Sequence, residues 1–286
     1  MKKLLVILVF TTITSFVFGQ KKPAYMLYKT NGKKLTYKKM MKQLEAADVI
    51  LFGEIHNNPI AHWLQLEVTQ DLAAKKNLIL GAEMFEADNQ RALSDYLSQK
   101  IDRKGLDSLA RLWSNYDTDY APLVELAKEQ KLNFVATNIP RRYARKVFRE
   151  GLESLAALSE EEKAWIAPLP IAYDGELPGY KKMLEMMGDS PAHTGDNFPK
   201  AQAIKDATMA HFIAQNSQNN HTFIHYNGSY HSDNYEGILW YLKRLKPNLT
   251  YVTISTVLQK DIGSLDKENQ KADVVICVVE NMTTTY

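Results

Sequence analysis

Glu54, His56, Glu83 and His231 each follow a short apolar run, and carboxylate with imidazole is a combination suited to acid–base or ligand chemistry. The run Val49-Ile50-Leu51-Phe52 leads into Gly53-Glu54-Ile55-His56. In an extended segment side chains alternate with a period of two, which puts Glu54 and His56 on one face. Leu78-Ile79-Leu80 leads into Gly81-Ala82-Glu83, and Phe223-Ile224-His225-Tyr226 into Asn227-Gly228-Ser229-Tyr230-His231, which repeats the Gly-x-x-His spacing. If the runs are parallel strands, their carboxyl ends bring these groups to one rim, where open α/β sheets place ligands. A divalent transition metal held there by His56, Glu83, His231 and Glu54 would turn a bound water into a nucleophile near neutral pH. Without a metal, the same groups can act as an acid–base pair. The plainer alternative is that Glu54 and His231 cap helices and bind loop amides.

Other positions carry weaker signals. Asn138-Ile139-Pro140-Arg141-Arg142 follows a further apolar run, and Pro140 at a first helical turn would let Arg141 or Arg142 meet an anionic ligand, or simply form a solvated basic face. His225 inside its strand reads as a satisfied core residue, and His62, His211 and His221 are individually uninformative. Tyr173, Tyr180, His193 and the group Met183, Met186 and Met187 could line a flat apolar ligand, although a Met-rich helix face is also ordinary core.

The elements that must position these residues alternate. Tyr25 to Tyr28 and Lys33 to Tyr37 flank Thr30-Asn31-Gly32, a hairpin signal in which Asn-Gly supplies positive φ angles. Strands follow at Val49 to Phe52, Leu78 to Leu80, Phe134 to Ala136, Thr222 to Tyr226, Tyr251 to Ile254 and Val274 to Val279. Helices are expected from about Pro59 to Lys75, Asn89 to Leu97, Pro140 onward, Lys200 to Gln215 and Asp233 to Leu245. This predicts an α/β fold with a mostly parallel sheet flanked by helices. Between about 159 and 198 the strand signal gives way to prolines and glycines, which reads as a helical insertion with starts at Ser159 and after Pro178. Residues 20–286 are expected to form one α/β domain containing that insertion.

Met1-Lys2-Lys3, an apolar run to Phe18, and small residues at Val17 and Gly19 read as a signal peptide over residues 1–19. Export is therefore expected, to a bacterial periplasm or envelope, with no transmembrane segment after cleavage. The formal charge of +2 vanishes with Lys2 and Lys3, which gives no reason to expect nucleic acid as a partner. The sole cysteine, Cys277, lies in an apolar strand, so neither a disulfide framework nor a cysteine-linked lipid anchor is expected.

At Gly53-Glu-Ile-His56, Gly81-Ala-Glu83 and Gly228-Ser-Tyr-His231 the chain resembles the ChaN-like haem-binding uptake family. That family sits in a superfamily that also holds the Tiki proteases, TraB-like proteins and erythromycin esterases. Asn138-Ile-Pro140-Arg141 and Lys205-Asp-Ala-Thr-Met209-Ala210 add to the resemblance, which spans roughly Val49 to Leu245. It implies a parallel-sheet domain with a smaller helical part, and haem bound at a homodimer interface through a tyrosine iron ligand. Position in the insertion suggests Tyr180, then Tyr173, as that ligand, with His193 and Lys181 or Lys182 beside the propionates. The missing anchor cysteine departs from lipoprotein members. The superfamily's hydrolytic branch implies a different use of the rim, as a metal-dependent peptidase or esterase acting through Glu54, His56, Glu83 and His231.

Overall fold

The structure, a computed structural model, describes residues 22–187 and 195–286. The expected signal peptide and His193 lie outside the described residues. Eight strands form one sheet: β1 Tyr25–Lys29, β2 Lys34–Leu35, β3 Val49–Glu54, β4 Asn77–Glu86, β5 Asn133–Asn138, β6 His221–Gly228, β7 Tyr251–Gln259 and β8 Val274–Val279. Their order is β2-β1-β8-β7-β3-β6-β4-β5. The pairs from β8 to β5 are parallel, while β1 runs antiparallel to both β2 and β8.

Helices cover both faces: α1 Tyr37–Leu44, α2 Pro59–Ala73, α3 Gln90–Leu97, α4 Arg103–Leu109, α5 Ala121–Gln130, α6 Arg141–Glu150, α7 Glu160–Lys163, α8 Pro178–Met187, α9 Asn197–Asn216 and α10 Ile238–Leu245. Alternation along the strands divides the core. Ile50, Phe52, Leu80 and Ile224 pack with Leu64 and Val68 of α2 and Leu123 and Val124 of α5. Val49, Leu51, Ile79 and Phe223 point the other way, onto Ala207, Met209 and Ile213 of α9 and Ile238 and Leu242 of α10. Each such buried side chain contributes about 1.5–3 kcal/mol through removal of apolar surface from water. No helix among the described residues is long and apolar enough to cross a membrane.

Three expectations need correction. The strand expected over Lys33 to Tyr37 pairs only at Lys34 and Leu35, because the Thr36 side chain accepts from Lys39 N and starts α1. In the hairpin turn only Gly32 has positive φ, at 73°, so Asn31 does not share that role. The helix expected over Asp233 to Leu245 begins at Ile238, since Asn234, Tyr235 and Gly237 all have positive φ. A Cβ at Gly237 would meet the His231 carbonyl, so glycine there lets the chain fold back over the rim. In the insertion, Ser159 and Glu162 form a reciprocal capping box at α7, and α8 starts at Pro178. Of the methionine group, Met183 is buried and Met186 exposed, so it forms no continuous stripe.

The end of β3 is a second tight crossing. A Cβ on Gly53 would lie 2.6 Å from Ile254 O and 2.9 Å from Ser229 Cα, both backbone atoms. Gly53→Ala is expected to lower stability by about 1–3 kcal/mol, the usual cost of forcing a methyl into packed surroundings. A urea denaturation midpoint unchanged from the parent would show that the two neighbouring segments yield.

Candidate functional site

Parallel pairing sets Glu54 opposite Gly228, and β4 runs beside the same β6 with Ala82 opposite Tyr226. Three strand ends therefore converge. Glu54 is buried, and its carboxylate is fully engaged: Oε1 accepts from the Tyr120 hydroxyl (2.6 Å) and lies 2.9 Å from His56 Nδ1, and Oε2 accepts from Gln65 Nε2 (2.6 Å). Burial pushes the Glu54 pKa up, but the His56 hydrogen bond, the nearby His62 ring and the Tyr120 hydroxyl outweigh it, so the group stays below the usual carboxylate range. Burial lowers His56, and Glu54 and Glu83 more than reverse this. The His56 carbonyl in turn accepts from His62 Nε2 at 3.0 Å and Asn115 Nδ2 at 2.9 Å.

The second set is more deeply enclosed. His231 Nδ1 lies 2.5 Å from Asp206 Oδ1, and its Nε2 lies 3.2 Å from Glu83 Oε1. The other Glu83 oxygen accepts from Gly228 N at 2.8 Å, and the other Asp206 oxygen accepts from the Tyr180 hydroxyl at 3.2 Å. Burial alone would lower the His231 pKa, but the two carboxylates push it up to about 10. Burial would raise Glu83, and His231 instead drives it far below the ordinary value. At neutral pH the centre of this cluster is an imidazolium donating both N–H groups to carboxylates.

Gly228 separates the two sets. A Cβ there would sit 2.9 Å from His56 Cε1, 3.0 Å from His56 Nε2 and 3.5 Å from Glu83 Oε2. Glycine is thus what admits the His56 ring to the rim beside Glu83. The His56 side chain keeps 39% exposure, against 7% for His231. Its Nδ1 is held by Glu54, and its ring packs edge-on against Trp113 at 4.9 Å.

The expectation of a metal held by Glu54, His56, Glu83 and His231 gains no support from this arrangement. Among the described residues no group of three or more His, Cys, Asp or Glu side chains is disposed to hold a metal. The physical reason is pairing: both His231 nitrogens and His56 Nδ1 already face carboxylates. His225, by contrast, behaves as a core residue. Burial lowers its pKa to about 4, and its nitrogens meet Thr137 Oγ1 at 2.7 Å and Asn227 Oδ1 at 3.1 Å.

The sequence pattern of the family described as haem-binding uptake, Tiki superfamily, ChaN, matches residues 40–242. The chain belongs to that family. A search of curated proteins gave no match. Among solved structures, one of the ChaN of Campylobacter jejuni, described as showing cofacial haem binding, superposes with a TM-score of 0.66 at 20% identity, over 88% of this chain and 96% of that one. An erythromycin esterase, the EreC H289N mutant in its open conformation, gives 0.51 at 10% identity, over 90% of this chain and 98% of that one. At these identities the likenesses show a shared α/β fold.

For a ChaN-family chain the insertion is the next feature of interest. Tyr180 is buried at 4% exposure, with its hydroxyl on Asp206 and its ring stacked on Tyr173 at 5.8 Å. Tyr173 is half-buried and lines an open groove of about 740 Å³ with Leu152, Ala167, Ile171, Lys163 and Lys200. Lys181 is exposed and ion-paired to Glu176, Lys182 is exposed, and Arg141 lines a separate, smaller groove. Tyr120, Gln65 and Gln202 belong to the site although no motif marks them, and Asp206 joins them from the segment Lys205-Asp-Ala-Thr-Met209-Ala210. Asp206 alone left a trace, an acid on the otherwise small, apolar face of Ala203, Ala207 and Ala210.

The His231 cluster makes stability depend on pH. Its folded pKa, about 10, is raised above the unfolded value of about 6.5, so its stabilisation is complete below pH 6.5 and fades as pH rises towards 10. His231→Gln, which leaves two buried carboxylates facing each other, is expected to lose about 3–5 kcal/mol at pH 7. Its loss relative to the parent should shrink by pH 10, as read from urea midpoints at both pH values. An equal loss at the two values would refute a charged His231.

Proposed function

We propose that this chain binds haem in the groove beside Tyr173, as an exported protein of haem or iron uptake. The observation that carries the reading is the groove itself, in a chain of this family. It offers apolar walls from Leu152, Ala156, Ala167, Pro168 and Ile171, one tyrosine, and at its margin Glu153, Lys200 and a Lys163 paired with Glu160 at 2.8 Å. A volume of about 740 Å³ lies within the roughly 300–1,000 Å³ typical of small-molecule and cofactor sites. Apolar walls suit a porphyrin face, Lys200 suits a carboxylate, and a phenolate is a sound ligand for ferric haem iron. Burial raises the Tyr173 pKa, so the hydroxyl is protonated at neutral pH and would release its proton to solvent as the oxygen binds iron.

Tyr173 is preferred to Tyr180 because the Tyr180 hydroxyl is committed to Asp206 inside the protein. The Tyr173 hydroxyl has no hydrogen-bond partner among the described residues. One haem face would remain uncovered in an open groove, which favours a second copy of the chain as its cover. Haemin titration of the purified protein, followed by absorbance, should give a saturable band characteristic of tyrosinate ligation. Tyr173→Phe should abolish that band and weaken binding at least about tenfold, while Tyr180→Phe keeps it. Retention of the band in Tyr173→Phe would defeat the assignment.

A second reading has one observation in its favour: His56 is oriented through Nδ1 by a buried carboxylate and leaves Nε2 at the open rim. That is the arrangement of a general base acting on water in a metal-free peptidase or esterase. It predicts ester or peptide turnover that survives chelators and disappears in His56→Ala, with haem titration unaltered. Turnover equal in parent and variant would exclude it.

A further inference from the structure

A second, smaller groove of about 190 Å³ runs between α6 and α9. Arg141 and Arg145 lie one turn apart on α6, and Lys205 faces them from α9 above a floor that includes Phe148 and Phe198. Their neighbours on α6 are neutralised: Arg142 pairs with Asp88 at 2.6 Å and Lys146 with Glu150 at 2.5 Å. Arg141, Arg145 and Lys205 have no carboxylate within ion-pair distance among the described residues. Converging like charges around a concave, partly apolar surface repel one another, and an anion between them relieves that repulsion.

Gln202 also lines this groove, and its side-chain amide nitrogen position lies 2.9 Å from His231 Nδ1. The same atom lies 3.3 Å from His231 Nε2, so the amide sits over the face of the ring, whose N–H groups point in plane to Glu83 and Asp206. Gln202 thus separates the cations of the groove from the charged cluster.

We infer that the α6–α9 groove is an oxyanion-binding site, built by Arg141, Arg145 and Lys205, that takes a carboxylate or phosphate group. The same chemistry can come from a free small oxyanion or from a propionate of haem, and two measurements separate the sources. The first is calorimetric titration of the full chain with inorganic phosphate at low ionic strength. Saturable one-to-one binding is expected, weakened about tenfold or more in the Arg145→Gln/Lys205→Gln double variant, since each lost charge-assisted hydrogen bond costs about that factor. Lys146→Gln, which removes a cation already paired outside the groove, should bind as the parent does.

The second is haemin titration of the double variant, with its urea midpoint checked against the parent to confirm folding. Unchanged haem affinity alongside lost phosphate binding identifies a free-oxyanion site. Weakened haem affinity identifies the group as a propionate, whether or not phosphate binds alone. Phosphate binding that is absent or equal in parent and double variant, together with unchanged haem affinity, overturns the inference. Should the parent bind no haem at all, the phosphate arm still decides this site independently of the haem reading.

Discussion

One buried imidazolium, His231 between Glu83 and Asp206, is the interaction on which the architecture turns. It joins three segments remote in sequence: the end of β4, the turn after β6 and the middle of α9. Enclosing three ionisable groups costs several kcal/mol of lost hydration per charge, and the cost is offset only if every polar atom is matched. Here the matching is complete in the places that count. Gly228 N serves the free oxygen of Glu83, Tyr180 serves that of Asp206, and both ring nitrogens of His231 are used. Such a cluster tolerates one arrangement of the elements around it, so it fixes the position of the insertion against the sheet.

That constraint reaches the grooves through α9. Between Lys200 and Asp206 this helix presents Lys200 to the large groove, Gln202 and Lys205 to the small one, and Asp206 to the charged cluster. Tyr180 extends the connection in the other direction. Anchored on Asp206, it offers its ring as the stacking surface for Tyr173 at 5.8 Å. The proposed iron ligand is therefore positioned by a side chain that is itself positioned by the rim. A change at His231 or Asp206 acts on the large groove through packing, without contact with a ligand there.

β3, β4 and β6 were readable because each is a short apolar run leading into glycine and a polar group, a pattern that a two-residue period converts directly into geometry. Glu54, His56, Glu83 and His231 were readable for the same reason: they sit at those ends. Asp206, Tyr120 and Gln65 were not, because each reaches the rim from a helix or a loop across the fold, and no local spacing encodes a tertiary contact. The metal expectation rested on residue types alone. Residue types can be read from sequence, but whether a histidine nitrogen points at open space or at a carboxylate is decided by packing. Likewise the preference for Tyr180 over Tyr173 depended on burial, which position within the insertion does not specify.

The two rim histidines look equivalent in sequence, each ending a Gly-x-x-His motif, yet the structure gives them different work. His231 has both nitrogens committed to carboxylates and 7% exposure, so it has neither a free nitrogen to accept a proton nor a path for a substrate to approach. His56 has one nitrogen fixed by Glu54 and 39% exposure, with Gly228 providing the space beside it. Orientation without burial is what reactivity requires, and burial without a free nitrogen is what rigidity requires. The rim therefore divides into a structural half, which holds the insertion and its grooves, and a half whose chemistry remains open to solvent. Haem binding needs only the first half; the exposure of His56 is accounted for by no packing demand of the fold.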